Sequence, residues 1–252
     1  MRALSALAAL CGGAAAASAA ASGGGASGGG NDTAPTQLHL AFAGADGVRV
    51  AWRTNASAPS ACVWGANSSS MPHAASGASV EYLPGRGFHH AVRLAPLAPA
   101  TRYAYSCGGS APRSFATPPA AGEPAAFSAM VFGDWGYLDS NRRLPSIPVG
   151  GIDANWSASL TRELIELLGP NGAGGEATSF DFQWIVGDIA YADDAFAHVG
   201  ELLHFDYEDV YDGFMEWNTN ITDTRPMMVS VGNHESASTR VSQTRNRPPP
   251  PA

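Results

Sequence analysis

The chain has 252 residues, with 29 glycines, 18 prolines, 45% hydrophobic and 14% charged residues, a loop-rich globular composition that excludes a collagen-like or coiled-coil fibre. The formal net charge is −8, and the 14 basic residues are all arginines without a basic run of five or more, which argues against a nucleic-acid partner. The length allows one large domain or two small ones.

Residues 1–21 are predicted to be a secretory signal peptide. Arg2 precedes an apolar run, Ala3–Leu10, and Ala17-Ser18-Ala19 offers a small-residue cleavage site; the alternative is a disordered alanine-rich leader. Residues 22–33 are rich in glycine and serine and are predicted to be a flexible linker. No later segment has the roughly 18 uninterrupted apolar residues that a membrane helix needs. The sequence therefore predicts a secreted, extracellular protein without a membrane span.

Glycosylation sequons and cysteines agree with a secretory route, because that compartment both glycosylates and oxidises. The Asn-x-Ser/Thr tripeptides begin at Asn31, Asn55, Asn67, Asn155 and Asn220. Removal of the leader takes Cys11 away and leaves Cys62 and Cys107. These two could form a disulfide or remain buried free thiols, since their spacing alone does not decide whether they approach each other.

Residues 34–118 are predicted to form an all-β sandwich. Leu38–Phe42 and Val48–Trp52 alternate with period two around an Asp46-Gly47 turn, which indicates a hairpin. Further strand-like segments follow at His90–Leu94, Arg102–Ser106 and Ser114–Thr117. The run Pro118–Gly122 then marks a boundary, because two prolines and a glycine favour an extended, loosely packed backbone.

From residue 125 to residue 236 the pattern changes to strands that end abruptly in a glycine and a polar group. The apolar runs are Phe127–Phe132, Phe182–Val186 and Met227–Val231. Short runs of this kind suit strands that are buried on both faces of a sheet. Between the first two runs, Ser159–Leu168 places leucines on one helical face before Gly169-Pro170. The strand–helix–strand order predicts a parallel sheet, and residues 237–252 are predicted to be a disordered tail.

Polar side chains follow each of these three strands. Asp134, Asp188 and Asn233 come directly after the strand-end glycines, and His234 follows Asn233. Ligands of open parallel sheets gather at the carboxyl ends of the strands. Carboxylate, amide and imidazole groups bind hard or borderline cations, and a pair of cations needs a bridging carboxylate. The pattern therefore predicts metal ligation, although Asp134 alone could instead cap a helix.

Four other polar residues lie between the second and third strands, and we interpret them as surface groups. Asp193 and Asp194 are read as solvated charges, and His198 and His204 as residues of an exposed helix.

Three short blocks carry a resemblance to a known family. Gly133-Asp134-Trp135-Gly136, Gly187-Asp188-Ile189-Ala190-Tyr191 and Gly232-Asn233-His234-Glu235 resemble, in order, the first three sequence blocks of the purple acid phosphatases, within the calcineurin-like metallophosphoesterase superfamily. The segments 37–54 and 89–119 resemble the fibronectin type III-like domain of the long plant and fungal forms. The implied fold is an N-terminal β-sandwich followed by the first half of an α/β metallophosphoesterase sandwich at 125–236.

The resemblance also implies a ligand set and an activity. Asp134 and Tyr191 would bind Fe(III), Asp188 would bridge it to a divalent Fe, Zn or Mn ion, and Asn233 would bind that second ion. His234 would contact the phosphate or assist the leaving group, while Trp135 would pack. The implied function is acid hydrolysis of small phosphate monoesters, and a homodimer is compatible with the resemblance.

The resemblance stops after Glu235. The later family blocks supply three further histidine ligands, in a Gly-x-x-His-like segment and a His-x-His pair, and this sequence contains neither. We therefore expect a C-terminally truncated product or an incomplete gene model with an incomplete metal site. Two alternatives are another dinuclear metallophosphoesterase, such as a phosphodiesterase or nucleotidase, and a non-catalytic secreted β-sandwich binding module. The sequence leaves open the physiological substrate and the second metal.

Overall fold

The computed structural model describes residues 32–136, 163, 180–192 and 207–236. All of these described residues belong to one compact unit. Several predictions fall outside the described residues: the signal peptide, almost all of the linker, Asp193, Asp194, His198, His204 and the tail 237–252. The predicted helix Ser159–Leu168 also lies outside them, apart from Glu163, which is helical.

The described part of the chain contains eleven β-strands and a long α-helix. In chain order, the elements are β1 (Thr36–Phe42), β2 (Val48–Thr54), β3 (Ala61–Gly65), β4 (His73–Ser76), β5 (Ala78–Val80), β6 (Phe88–Leu94), β7 (Arg102–Cys107), β8 (Arg113–Ala116), β9 (Ala129–Phe132), β10 (Phe182–Ile185), α1 (Tyr207–Thr222) and β11 (Met227–Val229).

The first eight strands form the N-terminal β-sandwich. One antiparallel sheet has the order β1-β2-β6-β5 and the other has the order β4-β3-β7-β8. The predicted hairpin is confirmed, because β1 and β2 pair antiparallel with Phe42 opposite Val48. Alternate residues of β2 are buried because successive side chains point to opposite faces of a strand. The resulting core contains Leu40, Trp52 and Phe115, all at most 1% exposed.

A disulfide joins Cys62 to Cys107 within one sheet of this sandwich. The two residues lie directly opposite each other on the neighbouring strands β3 and β7, with their Cα atoms 4.1 Å apart. Of the two readings left open by the sequence, the disulfide is the one that the structure contains.

The last three strands form a parallel sheet with the order β11-β10-β9, as the strand–helix–strand pattern predicts. Helix α1 precedes β11 and buries Val210, Phe214 and Ile221, which are spaced to lie on one helical face, in a core shared with Ile185 of β10. Glu208 and Asp209 lie in its first turn, where negative charge stabilises the positive end of the helix dipole.

Among the described residues, one face of the parallel sheet is largely buried and the other is largely exposed, which differs from the predicted burial on both faces. Gln183, Ile185 and Met227 are buried on the face that contacts the α1 core. On the opposite face, Val131, Trp184 and Val186 remain largely exposed. Among the described elements, α1 packs against the face that contains Ile185.

The sandwich is joined to α1 and the residues that follow it by buried hydrogen bonds. The Tyr105 hydroxyl donates to the backbone carbonyl of Asp223 at 2.7 Å. The Thr222 hydroxyl donates to the carbonyl of Leu38 at 2.9 Å. These contacts place the β-sandwich directly against the helix that supports the parallel sheet.

Candidate metal centre

The predicted ligands lie in the loops that leave the carboxyl ends of β9, β10 and β11. Backbone hydrogen bonds hold the first two loops side by side: Asp134 N–H donates to the carbonyl of Gly187 at 3.2 Å, and Trp135 N–H donates to the carbonyl of Asp188 at 3.2 Å. Parallel strands bring their carboxyl ends to one edge of the sheet. Asp134 and Asp188 therefore lie on adjacent loops at that edge.

Two glycines allow the second and third loops to approach closely. A Cβ atom at Gly187 would lie 2.7 Å from the Cα atom of Gly232, and Gly187 has φ of 129°, which other residues rarely adopt. A Cβ atom at Gly232 would lie 2.2 Å from Asp188 Oδ1 and 2.5 Å from Asp188 N. Any side chain at either position would force the two loops apart.

Asp134 and Tyr191 contact each other through their side chains. The Tyr191 hydroxyl donates to Asp134 Oδ1 at 2.5 Å, although the residues are 57 positions apart in sequence. A short hydrogen bond between a phenol and a carboxylate places two oxygen donors side by side. These are the two residues for which the resemblance implies a shared Fe(III).

Three of the predicted ligands adopt left-handed backbone conformations. Asp134, Asp188 and Tyr191 have φ values of 53°, 52° and 51°. Aspartate tolerates this region, but a tyrosine there carries a conformational cost. Such strain persists only where surrounding contacts fix the backbone, and it clusters at functional sites.

Asp188 and His234 form the second contact of the site. The backbone N–H of His234 donates to Asp188 Oδ1 at 3.0 Å. The ring of His234 in turn lies against the ring of Tyr191, with centroids 4.3 Å apart. Asp134, Tyr191, His234 and Asp188 are therefore connected by a continuous chain of contacts.

Asn233 is brought to the same edge by its position between Gly232 and His234, and it is exposed. Within the ranges that the structure describes, no three or more His, Cys, Asp or Glu side chains form a group that could hold a metal ion. The predicted ligand set differs from such a group because half of it consists of a phenol and an amide.

Glu235 was not singled out from the sequence as a functional residue. Its carboxylate accepts hydrogen bonds from the backbone N–H groups of Asp188, Ile189 and Gly232 at 2.8–2.9 Å, and from the Tyr211 hydroxyl at 3.1 Å. Burial opposes ionisation of this group, but the hydrogen bonds outweigh burial and lower the pKa of Glu235. A weak sequence signal exists, because a Glu three residues after the start of a helical turn can accept the first N–H of that turn.

Trp135 is 1% exposed and packs as expected. Its ring lies 5.0 Å from the ring of Phe132 and 5.1 Å from that of Phe214, in edge-to-face arrangements. This residue anchors the first ligand loop to α1 and contributes no ligand atom.

The donor chemistry of the site fits the implied metals. Asp134 and Tyr191 offer adjacent hard anionic oxygens once the shared proton is displaced, which suits a trivalent ion. Asp188 has a carboxylate that can bridge, and Asn233 offers an exposed amide oxygen.

Comparison with known proteins finds matches to purple acid phosphatases. Residues 35–117 match the family model described as the N-terminal domain of purple acid phosphatase. The chain is 28% identical over 206 residues to purple acid phosphatase 21 of Arabidopsis thaliana, covering 80% of this chain and 38% of that protein. It is 28% identical over 219 residues to acid phosphatase A of Cryphonectria parasitica, covering 81% of this chain and 42% of that protein.

The chain combines an N-terminal β-sandwich with a parallel sheet that carries acidic, phenolic and imidazole side chains at its strand ends. Together with the matches, these features show that the chain is similar to the purple acid phosphatases, and residues 35–117 match the N-terminal domain of that family. The chain spans about two fifths of the length of the curated relatives it matches, with 38% of one and 42% of another covered.

Proposed function

We propose that this protein is a secreted acid phosphatase that hydrolyses small phosphate monoesters at a dinuclear Fe(III)–M(II) centre. The observation that carries the proposal is the 2.5 Å contact between the Tyr191 hydroxyl and Asp134 Oδ1. A phenol is not needed by a general dinuclear phosphoesterase, whereas a phenolate suits a ferric ion. The contact therefore favours an acid phosphatase over a phosphodiesterase or nucleotidase.

The proposed ligands would be shared between two metal ions. Asp134 and Tyr191 would hold the ferric ion, Asp188 would bridge, and Asn233 would hold the divalent Fe, Zn or Mn ion. Bound cations of this kind supply Lewis acidity for phosphate-ester hydrolysis. The 125–236 segment would be the first half of a metallophosphoesterase sandwich, which is supported by its parallel sheet and strand-end ligands.

His234 would act on the substrate rather than on the metals. Its backbone N–H is fixed by Asp188 Oδ1, and its ring rests against Tyr191. An imidazole held this way can donate an N–H hydrogen bond to a phosphate oxygen, or transfer a proton to the leaving oxygen. We assign His234 this role because it is adjacent to Asn233, a proposed metal ligand, and would lie beside the ester that the centre would bind.

Two features support secretion. The Cys62–Cys107 disulfide is typical of proteins that mature in an oxidising compartment. The sequon residues Asn55, Asn67 and Asn220 are exposed and accessible to glycosylation. No helix in the described ranges has the length and apolar character that a bilayer crossing requires.

The first prediction tests the metal centre. The purified chain loaded with Fe(III) and Zn(II) should show a visible tyrosinate-to-iron charge-transfer band, because Tyr191 would ligate the ferric ion. Tyr191→Phe should abolish this band, whereas Tyr103→Phe, a matched substitution in the β-sandwich, should leave it unchanged. Absorption spectroscopy provides the measurement, and release of p-nitrophenol from its phosphate ester at acid pH tests activity in the same samples.

The outcomes separate the candidate functions. A band that survives Tyr191→Phe would contradict the ligand assignment. Binding of Zn(II) or Mn(II) without any iron-dependent colour would instead favour another dinuclear metallophosphoesterase. A chain that binds no metal, while the sandwich remains folded, would favour a binding module.

A further inference from the structure

Glu235 links the two loops that carry the candidate ligands Asp188 and Asn233. Its Oε2 atom accepts from Asp188 N at 2.9 Å and from Gly232 N at 2.8 Å. Its Oε1 atom accepts from Ile189 N at 2.8 Å. One carboxylate therefore receives backbone N–H groups from both loops, which lie more than 40 positions apart along the chain.

The link runs in both directions. Glu235 in the third loop accepts from the backbone of Asp188 in the second loop. Asp188 in the second loop accepts, through Oδ1, from the backbone N–H of His234 in the third. Each loop thus supplies a carboxylate to the N–H groups of the other, and the absence of a side chain at Gly232 permits the close approach.

The bonding pattern requires a carboxylate at position 235. Both carboxylate oxygens of Glu235 accept hydrogen bonds from backbone N–H groups. A hydrogen-bond donor in place of either oxygen would therefore face another donor. A glutamine would turn its NH₂ group toward at least one of these N–H groups and lose that bond. Hydrogen bonds to charged acceptors are about twice as strong as neutral ones. The substitution would therefore weaken strong hydrogen bonds between the two loops.

We propose that Glu235 is a positioning residue that holds Asp188 and the Asn233–His234 turn in the arrangement that binds metal and phosphate. This inference rests on the proposed function, because it concerns the same site. Glu235 directs its carboxylate to these backbone N–H groups and to the Tyr211 hydroxyl. Its effect would reach the centre through the two loops.

The second prediction tests this role in the full chain by amide hydrogen exchange and Zn²⁺ titration. In metal-free protein, Glu235→Gln should speed exchange at the Asp188, Ile189 and Gly232 amides about ten- to a hundredfold. It should also weaken Zn²⁺ binding by about ten- to a hundredfold, as loss of a group that supports metal ligands typically does. Exchange in β2 and β6 of the sandwich should not change.

Glu81→Gln is the matched control. Glu81 Oε1 accepts the backbone N–H of Gly85 at 2.9 Å in an exposed loop of the sandwich. This variant also converts a loop-bonding carboxylate to an amide, but it should change exchange only near Gly85 and leave Zn²⁺ affinity unaltered. If Glu235→Gln disrupts the sandwich as well, Glu235→Asp, which keeps the charge on a shorter side chain, takes its place.

The results distinguish failure of the inference from failure of the proposed function. If the wild type binds Zn²⁺ but the Glu235 variant shows unchanged Zn²⁺ affinity or unchanged hydrogen exchange in the loops, the inference is overturned. The proposed function would still stand. Absence of Zn²⁺ binding by the wild type would overturn the metal centre. In that case, the comparison of amide hydrogen exchange between wild type and variant alone tests whether Glu235 holds the two loops together.

Discussion

At the scale of single residues, the candidate centre is shaped by the backbone as much as by its ligands. The sequence could place Asp134, Asp188 and Asn233 at strand ends, because each follows an apolar run and a glycine. It could not show that Glu235 connects two loops, since two of the partners of that carboxylate are backbone N–H groups 46 and 47 positions away. Backbone donors carry no sequence signature, so this contact is visible only in the fold.

His90 is a second residue whose environment was not predictable. It was read only as part of a strand, but it is 1% exposed in the sandwich core. Its ring stacks on Trp52, and its nitrogens contact the hydroxyls of Thr54 and Ser60 at 2.8 and 2.9 Å. Burial, with a smaller contribution from the charge of His89, lowers the pKa of His90 below its ordinary value of 6.5.

The third prediction follows from this lowered pKa. His90 takes up a proton at a lower pH in the folded protein than in the unfolded chain, where its ordinary pKa is 6.5. Stability should therefore decrease as the pH falls from about 7.5 to about 6. Urea unfolding at several pH values should give a shallower dependence for His90→Gln than for the wild type.

Two acidic groups contribute with the opposite sign. Burial raises the pKa values of Glu216 and Asp223, so protonation of these groups favours the folded state. The difference between His90→Gln and the wild type cancels their contribution, because both proteins retain them. Equal pH slopes for the two proteins would contradict the assignment of a neutral buried His90.

At the scale of elements, the strands with a clear period-two pattern were predictable. The segments that became β1, β2, β6, β7 and β8 were all recognised within a few residues of their ends. β3 was missed although it alternates exposed and buried residues, whereas β4 and β5 were missed because they are short and mostly exposed. Their strand conformation comes from pairing with neighbours rather than from a hydrophobic pattern of their own.

Helix α1 was also missed, for a related reason. Two of its buried residues, Asn218 and Thr222, are polar. Thr222 is tolerated there because its hydroxyl bonds to the carbonyl of Leu38 in β1, and Asn218 because its amide bonds to the carbonyl of Phe214. A sequence pattern that counts only apolar residues therefore misses the polar part of the buried face of α1.

The fourth prediction concerns the disulfide between β3 and β7. Cys62 and Cys107 are 45 residues apart, so the bond constrains a long loop in the unfolded chain. Replacing both cysteines by alanine should lower the free energy of unfolding by about 2–4 kcal/mol. Guanidinium unfolding measures the change, and wild-type protein under reducing conditions should show a comparable loss; an unaltered midpoint would be inconsistent with a stabilising bond.

At the scale of the whole molecule, the sandwich and the helix-supported sheet are packed together. An aromatic cluster adds to the hydrogen bonds described above: Phe42 of β1 lies 5.4 Å from Phe182 of β10 between ring centroids, and Phe127 lies 5.3 Å from Phe182. None of these contacts was predictable, because most of them join residues that are more than a hundred positions apart, such as Tyr105 and Asp223.

The fifth prediction tests whether this packing couples the two parts. Tyr105→Phe removes the buried hydrogen bond to the Asp223 carbonyl and should cost about 1–3 kcal/mol, since the carbonyl loses a partner. Tryptophan fluorescence and circular dichroism should report one shared unfolding transition, moved to lower urea concentration. Tyr103→Phe removes only a bond to Ala98 within the sandwich and should cost less. Two separate transitions in the wild type would contradict the coupling.

The parallel sheet also sets the order in which the candidate centre can form. Tyr191 and Asp134 are 57 residues apart, and His234 and Asp188 are 46 apart. Pairing over such separations closes large loops before any contact compensates, so it is slow compared with local folding. A slip of β11 by one position would turn the chain leading to Asn233 to the other side of the sheet. A cation would therefore bind late in folding. Its binding would stabilise the correct alignment of β11 with β10.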